Sequence, residues 1–398
     1  MTNLPQGWEV KKLEEIANIK GGKRLPKGEN LLDNNTKFAY IRVADFQDNG
    51  TINLQNIKFI NENTYNVLKN YKIYDDNLYI SIAGTIGKSG IIPKELNGAI
   101  LTENAVKLEY IQNNISNKFM YFFTLSNIFK TQIQTSTKIV AQPKLAITRL
   151  KKIQIPLPPL KEQERIVGIL DESFAKIDES IKILEQDLLN LDELMQSALQ
   201  KAFNPLKDNA KENYKLPQSW EWKSLEEISE NISAGGDKPK NCTESKTAKN
   251  QIPVYANGVN NNGLVGYTDK ATIIKPSLTI SARGTIGFVC IRKEPYFPIV
   301  RLISLIPCEN ILCLHYLYFC LNFFIAKGEG SSIPQLTIPK FKSLQIPLPP
   351  LKEQEQIAEH LDFVFEKAKA LKELYTKELK DYEELKQSLL DKAFKGEL

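Results

Sequence analysis

Side chains suited to catalysis are sparse in this sequence. The chain carries two histidines, His315 and His360, and His360 lies in a heavily charged helical stretch. Histidine-based acid–base or nucleophilic chemistry therefore has no constellation to support it. GTIGKS at residues 84–89 ends like a phosphate-binding loop. That pattern needs glycine where Ile82 stands, and the second copy reads GTIGFV, so nucleotide binding is excluded. GTIG is then a glycine-permitted turn between two strands. Pro158-Pro159 and Pro349-Pro350 are flanked by leucine on both sides, which can neither hold nor stack an extruded base. No Pro-Asp dipeptide is present to anchor a PD-(D/E)xK nuclease centre. The five cysteines (Cys242, Cys290, Cys308, Cys313, Cys320) form no CxxC and are odd in number, so reduced core thiols are expected. Cys308, Cys313 and His315 match no standard zinc spacing. No catalytic residue and no metal ligand is assigned; binding is the expected chemistry.

The elements that would position binding residues follow from an internal repeat. LPQGWEVKKLEEI from Leu4 returns as LPQSWEWKSLEEI from Leu216, an offset of 212, and GTIG returns at an offset of 200. IQIPLPPLKEQERI (153–166) returns as LQIPLPPLKEQEQI (344–357), and LMQSALQKAF at 194 returns as LKQSLLDKAF at 385, both at an offset of 191. Length changes are thus confined to the regions ahead of each constant block. Those regions hold short β-rich runs (38–43, 78–82, 278–281) among Asn/Gly/Asp turns and read as mixed α/β. Each also has one aromatic helical run, 118–129 and 315–324, expected to be core.

The constant blocks are helical. Each proline pair stops the preceding strand, and LKEQE places carboxylates at a helix start. In the first block Phe174, Ile181, Leu188 and Met195 hold a, and Leu170, Ile177, Leu184, Leu191 and Ala198 hold d. In the second, Leu361, Ala368, Tyr375, Tyr382 and Leu389 hold d, while Lys372 and Lys386 fall at a; Val364, Leu371 and Leu385 are expected to widen the stripe to one side. About 40 helical residues make a rod of roughly 60 Å, and two equal rods in one chain are expected to pair. An antiparallel pair gives a pseudo-two-fold molecule; the heptads alone leave a parallel pair open.

The formal charge is +5 over 398 residues. By position it separates into +8 over 1–153 and +5 over 204–344, against −8 over the two constant blocks. Positive regions held by acidic helices suit phosphate binding at two places. Hydrophobic residues at 42% and charged residues at 25% exclude wholesale disorder and a membrane protein. The most apolar stretch, 311–326, is shorter than the roughly 20 residues needed to span a bilayer. MTNLPQGWEV shows no secretory signal, so a cytoplasmic location is expected.

The order of variable region, PLPPLKEQ helix, variable region, PLPPLKEQ helix resembles the specificity subunits of type I restriction-modification systems. GTIG in each variable region and Trp8 and Trp220 ahead of each LEEI complete the match, which covers essentially the whole chain. The resemblance implies an α+β fold: two mixed α/β target recognition domains joined by two long helices forming an antiparallel coiled coil. The expected divisions are 1–155 (first recognition domain), 156–203 (first helix), 204–346 (second recognition domain) and 347–398 (second helix). It implies that each recognition domain reads one half of a bipartite double-stranded DNA site while the helices fix the spacer. Two modification subunits would methylate adenine and restriction subunits would cleave, with S-adenosylmethionine, ATP and Mg carried by those partners and no cofactor on this chain. Residue type and loop context give Lys23, Arg24, Arg42, Lys88, Gln142 and Lys144 as DNA-binding candidates in the first domain. Lys238, Lys240, Asn257, Arg283 and Gln335 are the candidates in the second, with Arg283 and the Gly21-Gly22 and Gly235-Gly236 loops favoured. Glu162, Gln163, Glu353 and Gln354, one pair per repeat, are candidates for docking two identical partners. Two other readings stay open: a specificity subunit of a fused restriction-methylation enzyme that cuts near its site, and a coiled-coil scaffold with no DNA role.

Overall fold

The computed structural model describes residues 4–34, 36–136, 145–204, 215–325, 328–329 and 336–398. The chain forms two compact units, Met1–Leu184 with Lys377–Leu398, and Glu185–Thr376. Each unit therefore takes one end of both long helices, and both units are built to one plan.

In each unit a short strand leads into LEEI, whose last glutamate caps its own helix. Lys12 N–H donates to Glu15 at 2.6 Å in the first unit, and Ser224 N–H donates to Glu227 at 2.8 Å in the second. The lead strands Glu9–Lys12 and Glu221–Ser224 pair antiparallel with Gln154–Leu157 and Gln345–Leu348, the strands that run into the proline pairs. The main sheet of the first unit is antiparallel, in the order Ala17–Gly21, Ala105–Tyr110, Leu78–Ser81, Ser89–Ile91. The second unit repeats it as Ser229–Ala234, Ile303–Pro307, Ser277–Ile280, Val289–Arg292. One inner strand of each sheet, LYIS in the first unit and SLTI in the second, is buried along its whole length. A smaller sheet in each unit contains one parallel pair, Ala39–Ile41 with Ala99–Leu101 and Ile252–Tyr255 with Phe297–Pro298.

The aromatic runs are core, as expected. The first forms two helices, Asn117–Leu125 and Asn127–Ser136, and the second one helix, Leu314–Phe324. Phe119 and Phe123 receive the ring of Phe394 at centroid distances of 5.0 and 5.5 Å. In the second unit Phe203 packs against Tyr316 at 5.4 Å. A long helix thus ends inside the core of each unit, where truncating a buried phenylalanine costs about 3–5 kcal/mol.

The long helices span Leu160–Phe203 and Leu351–Lys395. In the first unit Arg165 donates to the Leu398 carbonyl at 2.7 Å and Asp178 meets Lys386. In the second, Asp192 meets Lys372, while residues 194–202 and 353–364 line one groove. Rising number on one helix meets falling number on the other, so the pairing is antiparallel in each unit. The d residues Leu170, Ile177, Leu184, Leu191, Leu361 and Ala368 are buried. One expectation is corrected: Leu371 and Leu385 stand 38% and 45% exposed and do not widen the seam. The lysines at a seal it instead, each reaching a carboxylate of the facing helix, with Lys386 Nζ 5.6 Å from the Phe174 ring centre. Among the described residues no helix is long and apolar enough to cross a membrane.

Candidate functional site

The same three loops meet at one end of the main sheet in both units. The first is the Gly-Gly loop that ends the outer strand. Gly22 N–H donates to the Ala105 carbonyl at 2.9 Å, and Gly235 N–H to that of Leu302 at 2.8 Å. A Cβ on Gly22 would lie 2.1 Å from the Thr102 carbonyl oxygen, and one on Gly235 2.6 Å from the Ile299 nitrogen, so this close approach requires glycine. The second is GTIG, with φ of 75° and 88° at Gly84 and Gly87 and of 72° and 79° at Gly284 and Gly287, the glycine-permitted turn expected from sequence. Gly87 N–H closes it on the Ser81 carbonyl at 2.9 Å, and Gly287 N–H on that of Ser281 at 3.0 Å. The third is the turn leading into the second strand of the sheet, closed by Ala105 N–H to the Thr102 carbonyl at 3.2 Å and by Leu302 N–H to that of Ile299 at 3.1 Å. Ile82 N–H donates to the Asn104 carbonyl at 2.8 Å, joining GTIG to the third loop in the first unit.

In the first unit Lys23 is exposed on the Gly-Gly loop, with Nζ 6.0 Å from the Tyr71 ring centre. Arg24 pairs with Glu103 of the third loop at 2.7 Å. Burial pushes the Glu103 carboxyl up, but bonds from Arg24, Thr102 and its own backbone hold it below the usual glutamate value. Lys88, directly after GTIG, pairs with Asp48 at 2.8 Å. In the second unit Lys238 and Lys240 are exposed beyond the Gly-Gly loop, and Arg283 is exposed within the GTIG turn. Gln142, Lys144 and Gln335 lie outside the described residues.

Several sequence candidates are structural instead. Arg42 forks onto Asp45 at 2.6 and 3.1 Å and donates to the Asn56 carbonyl at 3.0 Å. Asp45 is 1% exposed, so Arg42 neutralises a buried carboxylate and its fork is not available to a base. Asn257 accepts from Ala282 N–H at 2.8 Å and donates to the Val300 carbonyl at 2.6 Å. It ties GTIG to the third loop and has its amide committed. Gln163 and Gln354 are buried. Gln163 accepts from Ser116 N–H at 2.8 Å and donates to the carbonyls of Asn114 and Pro158. Gln354 does the same with Cys313 N–H and the carbonyls of Ile311 and Pro349. Each glutamine clamps the start of the aromatic helix to the proline turn, which removes both from a partner-facing surface. Glu162 is held by Arg165, whose hydrogen bonds lower the carboxyl's pKa, and Glu353 accepts from the Trp220 indole at 3.1 Å. Sequence reasoning missed Glu103, Val300 and Arg301, because only the sheet brings the third loop to this rim.

No group of three or more His, Cys, Asp or Glu side chains among the described residues could hold a metal ion. His315 faces Asp362 at 2.7 Å. Burial raises the pKa of the Cys290 and Cys320 thiols, which marks them as core.

Residues 5–188 and 217–380 match the family model of the type I restriction modification DNA specificity domain, and the chain belongs to that family. It is 29% identical to a putative type I specificity subunit of Mycoplasma pneumoniae over 88% of this chain and 87% of that one. It is 23% identical to the StySPI specificity subunit of Salmonella potsdam over 99% and 90% of the two chains. The fold is similar to a chain in a solved structure concerned with assembly and conformational transition of the type I R-M system, with a TM-score of 0.82 at 20% identity and 100% of both chains covered. The HsdS subunit of Thermoanaerobacter tengcongensis gives a TM-score of 0.64 at 21% identity, covering 100% of this chain and 98% of that one.

Proposed function

We propose that this chain is the DNA-reading subunit of a type I restriction-modification complex and carries no catalytic centre of its own. The observation that carries this reading is the same three-loop rim built twice in one chain, each copy on a sheet whose core receives the end of a long helix. Two rims read two short words, and the helices that join them set the gap. In this reading Lys23, Arg24 and Lys88 in the first domain, and Lys238, Lys240 and Arg283 in the second, hold phosphates, the contacts that orient a protein on duplex DNA.

The chain acts in the cytoplasm, where two modification subunits supply adenine methylation with S-adenosylmethionine and restriction subunits supply cleavage. The long helices offer them a surface. Ile183, Leu189, Leu194, Phe363 and Leu374 are each more than half exposed there, and apolar side chains left outward on a paired helix suit further helices.

Replacing residues 204–346 by the corresponding region of another specificity subunit tests this division of labour. The methylated motif should keep one half-word and its gap and exchange the other half-word. A change in both half-words contradicts two independent readers.

A further inference from the structure

The third loop of the second domain holds a backbone conformation that its residues disfavour. Val300 and Arg301 both lie in the left-handed region, with φ of 54° and 61°. With Leu302 N–H closing on the Ile299 carbonyl at 3.1 Å, this has the features of a type I′ turn, whose central positions favour Asn-Gly. A β-branched residue there is a genuine outlier, kept only where the surroundings over-determine it. They do so here: Val300 N–H and Arg301 N–H donate to the carbonyls of Gly236 and Gly235, each at 2.8 Å, and Asn257 holds the Val300 carbonyl at 2.6 Å. The corresponding turn of the first domain, with Glu103 and Asn104 at its centre, does not enter the left-handed region.

Packing does not explain the strained turn, because Val300 is 51% exposed and Arg301 is exposed beside it. Of the seven arginines in the chain, six have a hydrogen-bonding, ionic, ring or electrostatic partner; among the described residues Arg301 has none for its guanidinium. Asn257 links Val300 to Ala282, the residue before Arg283, so Arg283 and Arg301 flank one side chain on the same rim. The turn thus displays a free five-donor fork and an adjacent branched apolar group.

Given the DNA-reading role proposed above, we propose that the Val300–Arg301 turn is a specificity element of the second half-word: Arg301 donates to O6 and N7 of a guanine in the major groove, and Val300 packs against a neighbouring base edge. An arginine fork on guanine is the commonest specific contact to DNA, and the tight, hydrogen-bonded turn fixes the point and direction in which the Arg301 side chain leaves the backbone. Arg283 holds the adjoining phosphate.

The test uses the full chain expressed with its own modification and restriction subunits, with the host's genomic DNA as probe and methylated adenines mapped by sequencing. The variants are Arg301→Ala, and Val300→Asn with Arg301→Gly. The second installs the residues this turn prefers, so it should raise the Tm. Both variants should keep the first half-word and the gap and lose discrimination at one G·C position of the second half-word by on the order of ten- to a hundredfold. A turn that is only structural predicts a raised Tm in the double variant and an unchanged motif in both, which overturns the proposal. If the wild-type complex itself methylates no two-part motif, the DNA-reading role falls, and this inference with it.

Discussion

Asparagine and glutamine show how far residue type alone can mislead. Asn257, Gln163 and Gln354 have the side chains of base readers or docking contacts, yet all three are spent on backbone groups of neighbouring loops. Nothing in the sequence states that a carbonyl or an N–H will lie on both sides of an amide; only the folded neighbours do. Arg42 misled in the same way, since its partner Asp45 became buried. What was legible at this scale was glycine, because the positive φ of GTIG and the close approach at the Gly-Gly loops demand it wherever the chain places them. Gln354 permits a direct measurement. Gln354→Leu leaves Cys313 N–H and the carbonyls of Ile311 and Pro349 without their partner, so urea unfolding should show a loss of about 1–3 kcal/mol. Stability within about 0.5 kcal/mol of wild type, the range of an ordinary surface substitution, contradicts the clamp.

At the scale of elements, periodicity carried most of the information. The d positions of the long helices, the aromatic core helices and the strands ahead of the proline pairs fall where the sequence puts them. At the second helix the expectation that fails is the leucine-widened stripe: the lysines at a reach the facing helix themselves, so no leucine has to replace them. Lys386 holds its ammonium 5.6 Å from the Phe174 ring centre and reaches Asp178 with the same charge, and the leucines expected to compensate stay exposed. A double-mutant cycle on Lys386→Ala and Asp178→Ala should give a coupling of about 0.2–1 kcal/mol that falls with added salt, because the Asp178 side chain is 63% exposed. A coupling near zero at low salt contradicts the ion pair. Truncating Lys386 should cost more than truncating Asp178, since it also removes the ammonium from the Phe174 ring.

The whole molecule is one recognition unit written twice, and the repeat explains figures that say little when taken over the full length. A formal charge of +5 conceals +8 and +5 on the recognition regions and −8 on the helical blocks. Repeat, fold class and family were readable from motif order, because each motif marks a boundary that the architecture needs: a cap, a turn, a strand end or a helix start. The rim proposed to read bases was not readable, because it is assembled from three loops far apart in the chain, and the same loop is relaxed in one domain and strained in the other. The central claim is that two linked domains of this chain address adenine methylation to a two-part site. Mapping N6-methyladenine across the genome of the source strain, with and without this gene, tests it most directly. The account predicts a gapped motif of two short words, methylated in the wild type and unmethylated after deletion; a methylome unchanged by deletion contradicts it.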